Sequence, residues 1–145
     1  MLVESRRPIM AETTVGDIMH KGVIACKPDT PLQEVVRIVA DTDVHAIIVV
    51  DSQGEVRGII SHFDLIKCYG TDLHDRKAQD IMTPQVIDVA PTVPVSEAVK
   101  IMIERDIHRL LVTEMTPSGK RPVGVLSTTD VVKQMRGARW VWYMG

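Results

Sequence analysis

Two copies of a Ser-x-x-Asp segment, Ser61-His-Phe-Asp64 and Ser127-Thr-Thr-Asp130, carry the residue types best suited to binding chemistry in this sequence. An ionised carboxylate can accept hydrogen bonds from both hydroxyls of a ribose, and charge-assisted bonds of this kind are strong. A serine that begins a helix brings unpaired N–H groups and the positive end of the helix dipole, which suit a phosphate. The same spacing is also that of a helix-capping box. A nucleotide site and a structural cap are therefore both open interpretations of these segments.

A basic pair, His108-Arg109, stands immediately before an apolar run and is the second candidate for binding. Arginine can hold a phosphate through two parallel hydrogen bonds. The alternative is an exposed arginine beside a half-buried histidine that the backbone satisfies. The matching place earlier in the chain reads His45-Ala46 and lacks the arginine. If the arginine binds phosphate, the two matching places are unequal and one of them binds phosphate better.

No pattern in the sequence matches a catalytic or metal site. His20, His62 and His74 show no metal-ligand spacing with one another or with the cysteines. Ser61 has no evident histidine and acid partners for nucleophilic attack. A Walker-type phosphate loop is also missing from the sequence. We therefore predict a protein that is not an enzyme and needs no metal.

The composition is that of an ordinary globular domain, with 45% hydrophobic and 25% charged residues among 145. The net charge of -2 and the lack of a basic stripe argue against nucleic acid as a partner. Apolar runs such as Ala46 to Val50 are too short to cross a bilayer, and the N-terminus has no apolar signal region. Cys26 and Cys68 are interpreted as buried thiols in a reducing compartment. We expect a cytoplasmic protein without a membrane partner.

The chain repeats itself when it is shifted by about 63 residues, and self-similarity at such a period marks a duplicated structural unit. The matched positions include Asp17 with Asp80, Met19 with Met82, and Asp43 with Asp106. A three-residue insertion near Thr116 to Gly119 then shifts the register, and beyond it Gly58 matches Gly124, Ser61 matches Ser127, and Asp64 matches Asp130. We predict one module over residues 1–145, with repeats at 15–68 and 78–136, a polar linker at 69–77 and an aromatic tail at 137–145.

Hydrophobic spacing predicts the same elements in each repeat: a strand, a helix, two strands joined by a turn, and a final helix. They lie at 23–26, 31–42, 46–51 and 56–60 in the first repeat and at 86–89, 94–105, 109–114 and 122–126 in the second, with last helices starting at Ser61 and Ser127. Thr30, Pro31 and Gln33 predict a capped start for the first long helix. One such unit cannot cover both faces of its sheet, so two must pack together.

The duplicated motif Gly-h-h-Ser-x-x-Asp, where h is apolar, resembles the cystathionine-beta-synthase (CBS) repeat in this order of elements. It reads Gly58-Ile-Ile-Ser61-His-Phe-Asp64 and Gly124-Val-Leu-Ser127-Thr-Thr-Asp130. The opening Asp80-Ile-Met-Thr-Pro84 is similar as well, and the resemblance covers nearly the whole chain outside both tails. It implies an α+β fold, a tandem pair of β-α-β-β-α repeats with pseudo-twofold symmetry and two clefts between the sheets.

The resemblance further implies a regulatory module that binds an adenosine-containing ligand, namely AMP, ADP, ATP, NAD or S-adenosylmethionine. Such pairs usually form homodimers, and many regulate a protein partner. The family's first-strand threonine or serine corresponds to Ala25 and Asp88 here, and its basic phosphate contacts lie near Arg109. The predicted binding residues are Ala25, His45, Ser61, His62, Asp64, Asp88, His108, Arg109, Ser127, Thr128 and Asp130. The alternative function is a ligand-free dimerisation scaffold with degenerate clefts.

The C-terminal tail contains both tryptophans of the chain, Trp140 and Trp142. Chain ends are usually polar, whereas an apolar end gains stability by covering its aromatic rings. We expect this tail to dock on its own module or on a dimer mate.

Overall fold

Six helices and seven strands form the part of the chain that the computed structural model describes, residues 13–44 and 46–136. The helices are α1 Val15–Ile18, α2 Leu32–Asp41, α3 His62–Ile66, α4 Ala78–Ile81, α5 Val95–Arg105 and α6 Thr128–Met135. The strands are β1 His20–Lys21, β2 Ile24–Cys26, β3 Ala46–Val50, β4 Val56–Ser61, β5 Asp88–Val89, β6 Arg109–Thr116 and β7 Gly119–Ser127. The tail that carries Trp140 and Trp142 lies outside the described residues, as does His45.

The strands form two sheets, one for each repeat. In the first, β2 runs parallel to β3, and β3 pairs with β4 as an antiparallel hairpin. In the second, β5 runs parallel to β6, β6 pairs antiparallel with β7, and β1 is added to the far edge of β7. The mixed α+β fold with duplicated units is confirmed. The element that the sequence did not predict is β1, which belongs to the first repeat by sequence and to the second sheet by pairing.

Each repeat gives its opening segment to the other. The N–H groups of Val15 and Gly16 in α1 donate to Val93 and Pro91 of the second repeat, both at 2.8 Å. In the reverse direction, Ala78 at the start of α4 donates to Thr30 of the first repeat at 2.8 Å. The two opening segments thus contain one-turn helices, α1 and α4, and each of these packs on the opposite repeat.

This exchange also explains where the first long helix begins. A helix starting at Pro31 was predicted, but α2 begins at Leu32 because Pro31 keeps an extended backbone with ψ 137°. The N–H of Leu32 donates to the carbonyl of Arg76 at 2.8 Å. The predicted cap residue Thr30 instead accepts from the N–H of Lys27 at 3.0 Å. The first N–H of α2 is therefore satisfied by the carbonyl of Arg76, at the end of the linker, and not by the side chain of Thr30 that was expected to cap the helix.

Two matched glycines let the exchanged segments pass close to the sheets. A Cβ at Gly124 would meet the backbone oxygen of His20 and would lie 2.8 Å from the sulfur of Met19. A Cβ at Gly58 would lie 2.6 Å from the sulfur of Met82 and 2.9 Å from the carbonyl of Thr83. Any side chain at these two positions would therefore push an exchanged segment away from its sheet.

The buried side chains form one cluster in each repeat and one between the sheets. α2 packs Leu32 and Val35 against Ile47 in the first cluster, and α5 packs Ala98 against Leu110 in the second. The third cluster joins Ile48 of β3 to Leu111 of β6 and Val125 of β7. Because this third cluster holds the two sheets together, the loops and strand ends around it form clefts between the repeats.

Candidate functional site

The Ser-x-x-Asp segment of the second repeat lies at the junction of β7 and α6 and is buried. The N–H and the hydroxyl of Ser127 donate to Oδ2 of Asp130 at 2.8 and 3.1 Å. The N–H of Asp130 donates back to the Ser127 hydroxyl at 3.3 Å. The segment is therefore a capping box that ties the first turn of α6 to the end of β7.

A third residue, which the sequence did not single out for binding, completes this group. Nδ1 of His20 lies 2.9 Å from Oδ1 of Asp130. The side chain of Asp130 is 4% exposed and that of His20 is 44% exposed, so the histidine lies on the solvent side of the carboxylate. His20 reaches this place because β1 pairs with β7, with His20 opposite Val125.

His20 also lines a cavity of about 280 Å³ between the two repeats, here called the first cleft. Residues 20–24 form one wall, residues 43–44 and Ala46 form another, and Val125 contributes from the second sheet. Asp130 is absent from this lining and lies behind His20. The first cleft therefore presents the basic residues His20 and Lys21 and the acidic residue Asp43, together with apolar walls.

The Ser-x-x-Asp segment of the first repeat has the same two hydrogen bonds from serine to aspartate but is more open. The N–H and the hydroxyl of Ser61 donate to Oδ2 of Asp64 at 2.9 and 3.2 Å. Both residues are partly exposed. Oδ1 of Asp64 has no hydrogen-bond partner among the described residues, whereas Oδ1 of Asp130 is paired with His20.

Arg109 lies near Asp64 and is half-buried at the start of β6. Burial lowers the pKa of its guanidinium from the ordinary value, and the carboxylate of Asp64 opposes that shift. Within residues 13–44 and 46–136, its Nε is the one buried side-chain nitrogen or oxygen without a hydrogen-bond partner. An unpaired buried donor is costly, so this atom is suited to an acceptor that is not part of the chain. We call the place between Asp64 and Arg109 the second cleft.

The two predicted first-strand residues, Ala25 and Asp88, differ in their surroundings. Ala25 is exposed on β2. Oδ2 of Asp88 accepts a hydrogen bond from the hydroxyl of Thr113 at 2.7 Å and lies 3.1 Å from Nζ of Lys120. Burial alone would raise the pKa of Asp88, but Thr113 and Lys120 outweigh it and hold that pKa below its ordinary value of 3.8. The carboxylate lines a cavity of about 430 Å³ between the tips of the two hairpins.

Three further predicted residues lie at the start of the last helices or of β6. His62 and Thr128 are exposed first residues of α3 and α6, and His108 is exposed just before Arg109. The N–H of Thr128 donates to the carbonyl of His108 at 3.0 Å, so this donor of α6 is already used.

Sequence reasoning missed His20 as a cleft residue because it considered only metal chemistry for that histidine. A usable signal existed: the aligned position in the second repeat is Thr83, so the two opening segments differ where each crosses to the other sheet. Thr113 and Lys120 were missed because the hairpin that carries them is longer in the second repeat. The strand pairing alone places them beside Asp88.

The described residues contain no group of three or more histidine, cysteine, aspartate or glutamate side chains that could hold a metal ion. Among the helices of the same residues, none has the length and apolar character needed to span a membrane.

Comparison with protein families gives two tandem matches. The family model described as "CBS domain" matches residues 15–70 and 78–137, which together cover more than half of the chain. An uncharacterized protein of Methanopyrus kandleri is 28% identical over 127 residues, which are 86% of this chain and 63% of that protein. The chain covers 26% and 40% of the next two curated relatives, so it spans less than two thirds of the length of these proteins.

Solved structures share the fold across most of their length. The crystal structure of an uncharacterized conserved protein from Pyrococcus horikoshii has a TM-score of 0.76 and 26% identity, covering 91% of this chain and 98% of that one. The CBS domain pair of protein MJ0100, crystallised with 5'-methylthioadenosine and S-adenosyl-L-methionine, has a TM-score of 0.72 and 25% identity. That match covers 85% of this chain and 95% of the MJ0100 chain.

Proposed function

Because this chain belongs to the CBS domain family, we propose that it is a regulatory module that binds an adenosine-containing ligand between its repeats. The observation that carries this proposal is the second cleft. There, an open carboxylate oxygen of Asp64 lies near an arginine whose buried Nε has no partner among the described residues. A ribose and a phosphate joined in one ligand would supply what both groups lack.

The chemistry of each group favours this type of ligand. The two lone pairs of Asp64 Oδ1 can accept hydrogen bonds from the two neighbouring hydroxyls of a ribose. A phosphate oxygen can accept from the Arg109 guanidinium, and such charge-assisted bonds are about twice as strong as neutral ones. The likeness to the MJ0100 pair, crystallised with two adenosyl compounds, supports adenosine as the remaining part of the ligand.

A thermal-shift screen with AMP, ADP, ATP, NAD and S-adenosylmethionine tests the proposal. A ligand at about one hundred times its dissociation constant stabilises the folded protein by roughly 2.7 kcal/mol, which is a visible shift in Tm. A selective shift would identify the ligand. If folded protein shows no shift with any of the five compounds, the nucleotide function is wrong and the scaffold function takes its place.

Arg109→Met gives a sharper test because it separates stability from binding. Removing a half-buried cation whose buried Nε has no partner should leave the free energy of unfolding unchanged or increase it. Loss of the phosphate contact should weaken AMP binding by on the order of ten- to a hundredfold, the worth of a hydrogen bond to a charged group. Adenosine, which has no phosphate, is the control ligand and should bind both proteins equally by isothermal titration calorimetry. An equal AMP affinity in the two proteins would remove Arg109 from the site.

The scaffold function is favoured by one observation of its own. Large apolar side chains are exposed on the last helix of each repeat and the turn after it: Phe63, Ile66 and Tyr69 in the first, and Val132 and Met135 in the second. Exposed apolar patches of this kind mark interaction surfaces. We propose that these two faces form a homodimer interface, which is compatible with ligand binding in the clefts.

Regulation of a partner protein, a cytoplasmic location and the lack of catalytic activity remain predictions. A turnover assay with adenine nucleotides tests the last of these. Release of a product above the buffer rate, retained after further purification, would show that the chain is an enzyme.

A further inference from the structure

We propose that His20 decides which cleft binds a ribose first: it covers Asp130 at the first cleft, so the second cleft fills before the first. This inference rests on the proposed nucleotide function and adds an order of binding to it. His20 Nδ1 and Asp130 Oδ1 are in contact at 2.9 Å. An ionised carboxylate only accepts hydrogen bonds, so His20 is the donor in this contact.

The carboxylates of Asp130 and Asp64 differ in the number of lone-pair positions that remain for a ligand. A carboxylate has about four lone-pair positions, two on each oxygen. At Asp130, Ser127 occupies both positions on Oδ2 and His20 occupies one on Oδ1, which leaves one. At Asp64, Ser61 uses only Oδ2 and leaves both positions on Oδ1. A ribose that donates both hydroxyls therefore fits Asp64 as it stands and fits Asp130 only after His20 moves away.

The exposure of the two carboxylates points the same way. Asp130 is 4% exposed behind His20, while Asp64 is open to solvent in part. A ligand that approaches the first cleft meets His20 before it meets Asp130. His20 itself is 44% exposed, so part of its side chain faces the solvent from which a ligand would approach.

The duplicated chain offers a natural control for this difference. The position that matches His20 is Thr83. The backbone of Thr83 forms a β-bridge with Ile59, and this bridge is equivalent to the pairing of His20 with Val125. A threonine hydroxyl sits much closer to its backbone than an imidazole nitrogen, and no hydrogen bond from Thr83 to Asp64 occurs among the described residues. His20→Thr therefore makes the first cleft resemble the second with a residue already accepted at the equivalent place.

Calorimetric titration with 5'-methylthioadenosine tests the inference, because this compound has both neighbouring ribose hydroxyls but no phosphate that could interact with His20 directly. The wild-type protein should show one stronger and one weaker site. In His20→Thr the weaker site should strengthen by on the order of tenfold or more, since the ligand no longer breaks a hydrogen bond to a charged group. 2'-Deoxyadenosine, which lacks the 2'-hydroxyl and so has no neighbouring hydroxyl pair, should respond little to the substitution because Asp130 keeps one acceptor position for the 3'-hydroxyl.

A second measurement needs no nucleotide. It distinguishes failure of the proposed covering role of His20 from failure of the proposed nucleotide function. Carbodiimide labelling of carboxylates, followed by peptide mass spectrometry, should modify Asp64 but not Asp130 in the wild type. His20→Thr should expose Asp130 to the reagent and leave Asp64 unchanged. If labelling changes as expected but no adenosine compound binds, the covering role of His20 stands and the nucleotide function is wrong. If labelling of Asp130 is the same in both proteins, or two equal sites bind 5'-methylthioadenosine in the wild type, the proposed role of His20 is wrong.

Discussion

Ser127 and Ser61 occupy equivalent places and donate the same two hydrogen bonds to their aspartates, yet their burial differs. Ser127 is 3% exposed and its hydroxyl also accepts from the N–H of Asp130. We expect Ser127→Ala to lower the free energy of unfolding by about 1–2 kcal/mol, the usual effect of losing a helix cap, with an added loss because a buried carboxylate loses a donor. Urea unfolding gives this value directly.

Ser61→Ala is the matched control for that change. Solvent can replace the lost hydroxyl at the partly exposed Asp64, so the loss of stability should be smaller than in Ser127→Ala. Equal losses in the two variants would mean that burial does not separate the two caps.

At the residue scale, the sequence predicted the capping bonds and could not predict their burial. Spacing alone places a serine three residues before an aspartate, and this is enough for the bonds within each segment. The covering of Asp130 depends on His20, which comes from a distant part of the chain and reaches it only because β1 pairs with β7. Chemistry between residues so far apart has no local pattern.

Among the elements, the close pairing of β1 with β7 leads to a prediction at Gly124. A Cβ there would collide with the backbone oxygen of His20, which cannot rotate away as a side chain can. Gly124→Ala should cost about 1–3 kcal/mol, the usual range for overpacking. It should also increase hydrogen exchange at residues 20–22, whose strand it displaces. A variant with wild-type stability and exchange would contradict the close approach.

The pair of Asp88 and Lys120 between β5 and the long hairpin predicts a dependence of stability on pH. The pKa of Asp88 is lower in the folded protein than its ordinary 3.8, so the folded state favours the ionised form. The resulting stability is present above about pH 4 and is lost as the pH falls through the folded pKa. Urea unfolding at a series of pH values should show wild type and Asp88→Asn differing at pH 6 and converging as the pH falls through the folded pKa of Asp88. A constant difference across that range would contradict the assignment.

The order and type of the main elements were predictable because each long helix and hairpin has its own hydrophobic spacing. The errors lie at exchanged segments. Pro31 was expected to begin a helix that begins at Leu32, since the partner of the first N–H comes from Arg76. β1 was not predicted because two residues are too few to form a pattern and their partner is in the other repeat.

At the scale of the whole molecule, the apolar faces on α3 and α6 predict a dimer. Ile66→Glu should convert the protein to a monomer in sedimentation equilibrium, because a charge in an apolar interface loses its hydration. Ile103→Glu is the matched control, since Ile103 is 74% exposed on α5 and lies outside these faces. A dimer that persists in Ile66→Glu, or is lost equally in Ile103→Glu, would place the interface elsewhere.

Because opening segments are exchanged in pairs, this fold requires an even number of repeats. Each repeat packs its opening segment on the other repeat and receives the opening segment of that repeat. With two repeats, every opening segment therefore has a sheet to pack on. A chain with an added third repeat would leave one donated helix without a receiving sheet and one sheet without its last edge. We therefore expect descendants of such a gene to gain or lose repeats by twos, or to recruit a second copy of the chain to complete an odd count.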